Sequence, residues 1–206
     1  MPKKIDHQKR KETILHTALA VFAREGYKDA NLSVIAQECG VSRPTIYQYF
    51  KDKEDIYHYA VKLVTGRMFT KYVHYAWNTE DPILLRIQNI CSDIIDTAGK
   101  HRGELISLMD VMIQLKKEGL DFSDIILRRT AKLHILFKRL LRLGINKRQI
   151  VECDINKVTQ HLVILLESFS FQLSFLDSFD VEGSKQLIAN YLESIRRVET
   201  HRFIIH

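Results

Sequence analysis

Four side chains between residues 44 and 48 have the chemistry that contacts with duplex DNA require. The hydroxyl of Tyr47 can bind a phosphate, and the amide of Gln48 can form two hydrogen bonds with adenine. Thr45 or Pro44 can meet the methyl group of thymine. These side chains act together only if a helix projects them from one exposed face.

Two short helices joined by a tight turn would position them. Asn31 and Ser42 are good N-caps because their side chains accept a hydrogen bond from a free N–H at a helix start. Gly40 lies where the first helix must end and turn. Ile46 and Phe50 are four residues apart and would face inward. The pattern predicts a helix-turn-helix; the alternative is an ordinary helical hairpin with a solvated second helix.

The positive charge is concentrated in the same part of the chain. The 206 residues carry a formal net charge of +6. Residues 1–53 contain ten Lys and Arg against six Asp and Glu, a net charge of +4. Such an excess favours phosphate binding by the N-terminal region.

The segment resembles the TetR (tetracycline-repressor-like) family of bacterial transcriptional regulators over about the first 60 residues. The matching residues are Gly26-Tyr27, Ile35-Ala36, Gly40-Val41-Ser42, Thr45-Ile46-Tyr47-Gln48-Tyr49-Phe50 and Lys53. Asn31, Cys39 and the pair Arg43-Pro44 depart from the residues usual in the family. We expect these departures to alter which bases are recognised and to leave DNA binding itself intact.

The resemblance implies that the residues from Arg43 to Tyr49 lie on or beside the helix that contacts DNA, and that Lys53 touches a phosphate. A helix N-terminus capped by Asp52, with Asp55 three residues on, is also a favourable place for a phosphate. The candidate DNA-binding residues are Asn31, Ser33, Ser42, Arg43, Pro44, Thr45, Tyr47, Gln48, Tyr49 and Lys53.

The whole chain has the composition of an all-α protein. It contains 3 Pro and 8 Gly, and alternating strand patterns are absent. We expect about nine helices, with a three-helix DNA-binding domain over 1–53 and a helical effector-binding and dimerisation domain over 54–206. Beyond the DNA-binding domain the predicted helices cover 53–76, 82–98, 103–117, 123–143, 155–176 and 181–199, with Gly144 ending the fourth of them.

The predicted helix over 155–176 is apolar on nearly all sides, so that two opposite sides of it must be buried against other apolar surfaces. The helix over 181–199 offers a matching apolar stripe. Together they predict a homodimer interface; the alternative is a central helix within one chain. The candidate interface residues are Leu165, Phe171, Phe175, Leu187, Tyr191 and Ile195.

Catalytic and metal-binding motifs are missing from the sequence. No Glu-x-x-His pair occurs and no two His are three or four residues apart. We therefore expect no enzyme activity, no metal and no cofactor. A weaker hypothesis is a mostly apolar effector pocket with a few polar groups, the alternative being a solid core. Its candidate residues are Trp77, Met109, Met112, His134, Phe137, His161, Phe169 and Gln172.

These patterns predict a ligand-responsive repressor that acts as a homodimer on a palindromic operator. Its partners would be double-stranded DNA, a second copy of itself and a small apolar effector, and it would be a cytoplasmic, nucleoid-associated protein without a membrane partner. The helix over 53–76 would couple effector and DNA binding. The alternatives are a helical ligand-carrier or protein-interaction module, and a DNA-tethering adaptor that responds to no ligand.

Overall fold

The computed structural model describes residues 6–69, 73–77, 80–117, 119 and 123–198. Within these ranges the chain forms ten α-helices and no β-strand, and the predicted all-α fold is confirmed. The helices are α1 (His7–Glu25), α2 (Leu32–Glu38), α3 (Arg43–Tyr47), α4 (Lys53–Phe69), α5 (Val73–Trp77), α6 (Ile83–Lys100), α7 (Arg102–Lys117), α8 (Ser123–Asn146), α9 (Ile155–Phe175) and α10 (Val181–Glu193).

Three predicted helices differ from the observed ones by more than two residues. The helix predicted over 53–76 corresponds to α4 and α5, and residues 70–72 between them lie outside the described part. The prediction that Gly144 ends a helix was wrong, because α8 continues to Asn146. The helix predicted over 181–199 ends at Glu193.

Gly144 lies within α8, where its lack of a side chain allows Ile150 and Ile83 to pack closely against the helix. A Cβ atom at this position would lie 2.3 Å from Cδ1 of Ile150 and 3.2 Å from Cγ2 of Ile83. Ile150 is 1% exposed and follows α8 closely, since its N–H donates to the carbonyl of Gly144 at 3.3 Å. The missing side chain therefore makes room for the chain that leaves α8 to fold back against it.

Helix α10 ends earlier than predicted because the residues after it pair with the segment that follows α8. The N–H of Val151 donates to the carbonyl of Ile195 at 3.0 Å, and the N–H of Arg197 donates to that of Gln149 at 3.0 Å. Arg196 and Ile150 form an isolated antiparallel bridge. These bonds use backbone groups that a continued helix would have used internally.

The chain divides into two compact units, and the first consists of Met1–Thr70 and Lys100–Arg129. Its core joins α1, α2, α3, α4 and α7. The rings of Phe22, Tyr27 and Tyr57 pack edge to face at centroid distances of 5.2–6.4 Å at its centre. The division expected from sequence, with a DNA-binding domain over 1–53 and an effector-binding and dimerisation domain over 54–206, stays a prediction.

The second unit consists of Lys71–Gly99 and Thr130–His206. Its buried residues include Ile87 of α6, Phe137 of α8 and Leu162 of α9, each fully buried. The ammonium of Lys185 on α10 lies 2.7 Å from the carboxylate of Asp96 on α6. In the described part of the chain, no helix has the length and apolarity that crossing a membrane would demand.

Candidate nucleic-acid interface

The pair α2 and α3 is built from local hydrogen bonds. The side chain of Asn31 caps α2 by accepting from the N–H of Ser33 at 2.9 Å. After α2, Gly40 takes φ +65° and the N–H of Val41 donates to the carbonyl of Ala36 at 2.9 Å. This pairing closes the helix end while the glycine adopts a left-handed conformation that other residues rarely take. The turn and both caps were predicted from sequence.

The outer face of α3 carries the predicted polar set. Ile46 is fully buried and Phe50 is 2% exposed, so this side of the segment is anchored in the core. Arg43, Pro44, Tyr47 and Gln48 are exposed, and Thr45 is half-buried. The structure thus brings these candidate side chains to one surface; their contact with DNA stays a prediction.

Arg43 and Ser42 hold neighbouring polar groups in place. The guanidinium of Arg43 donates to the hydroxyl of Tyr47 at 3.4 Å and its carbon lies 5.9 Å from the ring centroid. The hydroxyls of Ser42 and Thr45 are 2.8 Å apart, and the N–H of Thr45 donates to the Ser42 oxygen at 3.3 Å. Tyr47 and Thr45 are therefore oriented before any ligand arrives.

Tyr49, another predicted residue, has a partner that the sequence did not indicate. Tyr49 is half-buried, and its hydroxyl lies 2.8 Å from Nδ1 of His7 in the first turn of α1. Lys11, one turn further along α1, places its ammonium 3.7 Å from the ring centroid of Tyr59. These contacts tie the start of α1 to the segment after α3. Asn31 and Ser33 are exposed at the start of α2.

Lys53 has an unexpected role within the unit. Its ammonium donates to the carbonyls of Tyr27, Lys28 and Ala30, the latter two at 2.8 and 3.3 Å. It also lies 4.7 Å from the ring centroid of Tyr27. An ammonium has three donors, so that these bonds compete with the predicted phosphate contact, which stays a prediction.

The N-terminus of α4 is capped as the sequence predicted. The side chain of Asp52 accepts from the N–H of Asp55 at 2.7 Å. The carboxylate of Asp55 accepts from the N–H of Lys51, the residue before Asp52, at 3.1 Å. These two bonds fix the direction in which α4 leaves the end of α3.

Helix α7 supports the helix-turn-helix directly, which sequence patterns did not indicate. Leu108, Val111 and Leu115 of α7 belong to the same buried core as α1. The side chain of Gln114 accepts from the N–H of Tyr27 at 2.9 Å, just after α1 ends. Gln114 also donates to Asp110 at 3.1 Å, which orients its amide. A polar residue on an otherwise apolar helix face was the only sequence indication of this bond.

The candidate dimer residues fall into two groups. Phe171, Phe175 and Leu187 are 58%, 54% and 50% exposed, and Leu165 and Tyr191 are half-buried. Ile195 is 8% exposed and lies in the turn after α10. The prediction that Ile195 lies within the helix over 181–199 was therefore wrong, because this residue pairs with residues 149–151 after the helix has ended, and its role in an interface stays a prediction.

The candidate effector residues are divided between the two units, and their role in ligand binding stays a prediction. Met109 and Met112 belong to the first unit and the other six belong to the second. Phe137 is fully buried and Phe169 is 7% exposed, so both are core residues. The remaining polar members bond elsewhere: His161 to the hydroxyl of Tyr191 at 2.9 Å and Gln172 to Ser168 at 3.1 Å.

Trp77 and His134 complete this set. His134 is half-buried on α8. Trp77 is 62% exposed and lines a cleft in the second unit together with residues that the sequence did not suggest. Among the described residues, no group of three or more His, Cys, Asp or Glu is arranged to hold a metal ion.

Comparison by sequence matches known proteins to a part of this chain. A family model described as bacterial regulatory proteins, tetR family, matches residues 14–60. The HTH-type transcriptional regulator PksA of Bacillus subtilis (strain 168) is 36% identical over 68 residues, which cover 33% of this chain and 33% of that protein. The match thus spans about a third of that relative's length.

Solved structures share the fold over nearly the whole chain. A TetR transcription regulator from Haloarcula marismortui ATCC 43049 has a TM-score of 0.76 at 18% identity, covering 92% of this chain and 99% of that one. The transcriptional regulator FadR from Bacillus subtilis, in complex with stearoyl-CoA, has a TM-score of 0.71 at 20% identity, covering 87% and 96%. The family model for bacterial regulatory proteins of the tetR family thus matches the segment of this chain that folds as most of α1, α2, the turn, α3 and the start of α4.

Proposed function

We propose that this chain is a DNA-binding transcriptional regulator that places α3 in the major groove. The observation that carries the proposal is the outer face of α3, where Arg43, Tyr47 and Gln48 are exposed while Ile46 is fully buried beneath them. Phosphate contacts would fix the register of the protein, and Gln48 would discriminate between bases. In this proposal the protein acts by binding and not as an enzyme.

The chain would act as a homodimer on a palindromic site. The exposed aromatic pair Phe171 and Phe175, with ring centroids 4.6 Å apart, leaves an apolar strip on α9 that a second copy would cover. Two-fold symmetry would set two α3 helices about 34–36 Å apart, the spacing of successive major grooves on one side of DNA.

The proposed regulator responds to a ligand and represses. FadR of Bacillus subtilis, which shares the fold, was solved with stearoyl-CoA. In this chain α4 and α7 both belong to the unit that contains α2 and α3. A ligand that shifts either helix would change DNA affinity, provided that it binds the two arrangements differently. Such a regulator would work in the cytoplasm, where it meets the chromosome at the nucleoid.

Selection of bound sites from random duplex DNA tests the proposal. We expect a palindrome whose half-sites are centred about 10–10.5 base pairs, or a multiple of that, apart. A gel shift of the selected site should weaken steeply as salt is raised. A ligand carrier or interaction module would enrich no sequence, and that outcome would overturn the proposal.

The ligand response requires a separate experiment. Metabolite extract added to the gel shift should release the selected site. Specific DNA binding that no extract fraction changes would favour the tethering adaptor over the ligand-responsive repressor.

A further inference from the structure

A cleft in the second unit combines an apolar floor with basic walls. It has a volume of about 190 Å³ and lies among α5, α6 and α8. Leu136, Leu140 and Leu143 of α8 supply the apolar surface. We propose that this cleft binds a small carboxylate with an apolar body, such as a phenyl ring or a short branched chain.

Arg86 places a positive charge in the wall of the cleft. The residue is 3% exposed, and its Nε donates to the carbonyl of Tyr75 at 3.2 Å while Nη2 donates to that of Ala76. Burial lowers the pKa of Arg86 and Asp81 opposes this effect by raising it. The guanidinium stays charged, because arginine does not lose its proton in proteins. Its two carbonyl partners are neutral, so that the charge is balanced only in part, by the acidic Asp81.

Two further cationic side chains, those of Arg139 and Lys147, line the cleft. The guanidinium carbon of Arg139 lies 4.6 Å from the ring centroid of Trp77, which holds the cation at one place. Lys147 follows the end of α8 and also lines the cleft. Within the described ranges, the ion pairs of the structure include none made by Arg86, Arg139 or Lys147. A bound anion would complement the positive charge of these three side chains, of which Arg86 is influenced by an acidic residue, Asp81.

The volume and the lining residues of the cleft restrict the class of ligand that can bind there. Guanidinium groups bind carboxylates through paired hydrogen bonds, and the leucines and Trp77 favour an apolar body. The volume of about 190 Å³ is below the ~300–1,000 Å³ typical of sites for drug-sized ligands. The proposed ligand carries a carboxylate in addition to an apolar body, whereas the small apolar effector expected from sequence stays a prediction. This inference rests on the proposed ligand response for its biological role, whereas binding itself is measurable without DNA.

Trp77 provides a direct reporter, because the chain contains one tryptophan. The experiment titrates the full chain with phenylacetate and with the isosteric neutral phenylacetamide, following tryptophan emission and, independently, heat by calorimetry. We expect saturable binding of phenylacetate and affinity about tenfold lower for the amide, as loss of one charge-assisted hydrogen bond predicts.

Variants at the cleft test whether its cationic side chains bind the carboxylate. Arg139→Gln and, after the end of the helix, Lys147→Gln should each weaken phenylacetate binding measured by calorimetry. Arg142→Gln is the matched control, since Arg142 is exposed on α8 and does not line the cleft. It removes the same charge and should leave the affinity unchanged. All three positions are exposed, so that the variants should fold, which circular dichroism checks.

Several outcomes would overturn the inference. They are the absence of saturable binding, equal affinity for acid and amide, or an equal loss in Arg142→Gln. Preference for phenyl phosphate over phenylacetate would overturn the assignment to a carboxylate. Failure of the proposed function looks different: phenylacetate would bind normally while random-site selection enriches no DNA sequence.

Discussion

At the scale of single residues, Gln48 is the side chain through which α3 would discriminate between bases. It is exposed next to Tyr47, and it caps the end of a helix whose inner side is buried. We expect Gln48→Ala to cost about 1–3 kcal/mol on the best site and to relax preference at one position per half-site. Competition gel shifts measure both effects. Gln160→Ala, an exposed position on α9, is the control. Equal losses on specific and random DNA would contradict a role in base recognition.

Lys53 allows a residue-scale test between two roles. Its ammonium donates to three backbone carbonyls, so that Lys53→Met leaves those acceptors without their donor. We expect the free energy of unfolding to fall by about 1–3 kcal/mol. Lys51→Met removes the same charge from an exposed position two residues earlier and should stay within about 0.5 kcal/mol. Urea denaturation measures both.

The same variants decide the phosphate role. If Lys53 contacts a phosphate, Lys53→Met lowers the salt slope of DNA binding by about one unit. A variant of unchanged stability with a reduced salt slope would show that the carbonyl bonds are secondary and that the phosphate contact dominates.

At the scale of elements, the junction after α8 depends on the close approach of two chain segments. In Gly144→Ala the new Cβ would meet Ile150, which is buried and cannot move away freely. We expect destabilisation by about 1–3 kcal/mol, the usual cost of overpacking. Thermal unfolding measures it. The double variant Gly144→Ala/Ile150→Val, which removes the nearest methyl group, should recover part of the loss.

Gly103→Ala is the matched control for this junction. Gly103 lies in the first turn of α7, and a Cβ there would have no atom within 4 Å. Alanine has the higher helix propensity, so this variant should be neutral or slightly stabilised. A loss at Gly103 as large as that at Gly144 would show that steric contact with Ile150 is not the cause.

At the scale of the whole molecule, the apolar strip on α9 has to be covered for the proposed two-fold regulator to form. Phe175 is 54% exposed and contacts the ring of Phe171. We expect Phe175→Glu to weaken self-association and operator binding together, because a charge would be buried in the interface. Sedimentation velocity at micromolar protein and gel shifts measure the two effects.

Ile135→Glu serves as the control for this variant. Ile135 is an exposed apolar residue on α8, 68% accessible, and lies outside the proposed interface. It should change neither association nor DNA affinity. A wild-type chain that sediments as a monomer and still binds its operator with full affinity would refute the dimer proposal.

Sequence alone determined the features that depend on neighbours along the chain. The caps at Asn31, Ser42 and Asp52, and the turn at Gly40, require only atoms within a few residues. The inward placement of Ile46 follows equally from helical spacing. Local hydrogen bonds and periodicity are specified by adjacent residue types, and for this reason the helix-turn-helix could be predicted in detail.

Only the tertiary structure decided which distant residues meet. The ammonium of Lys53 reaches carbonyls 23–26 residues away, and Gln114 bonds to an N–H 87 residues away. The basic cleft gathers Arg86, Arg139 and Lys147, whereas the apolar effector set is divided between two units. Such meetings depend on how helices pack, and packing uses the shape and volume of side chains from the whole core. The spacing of residues along the chain therefore does not predict which distant residues come into contact.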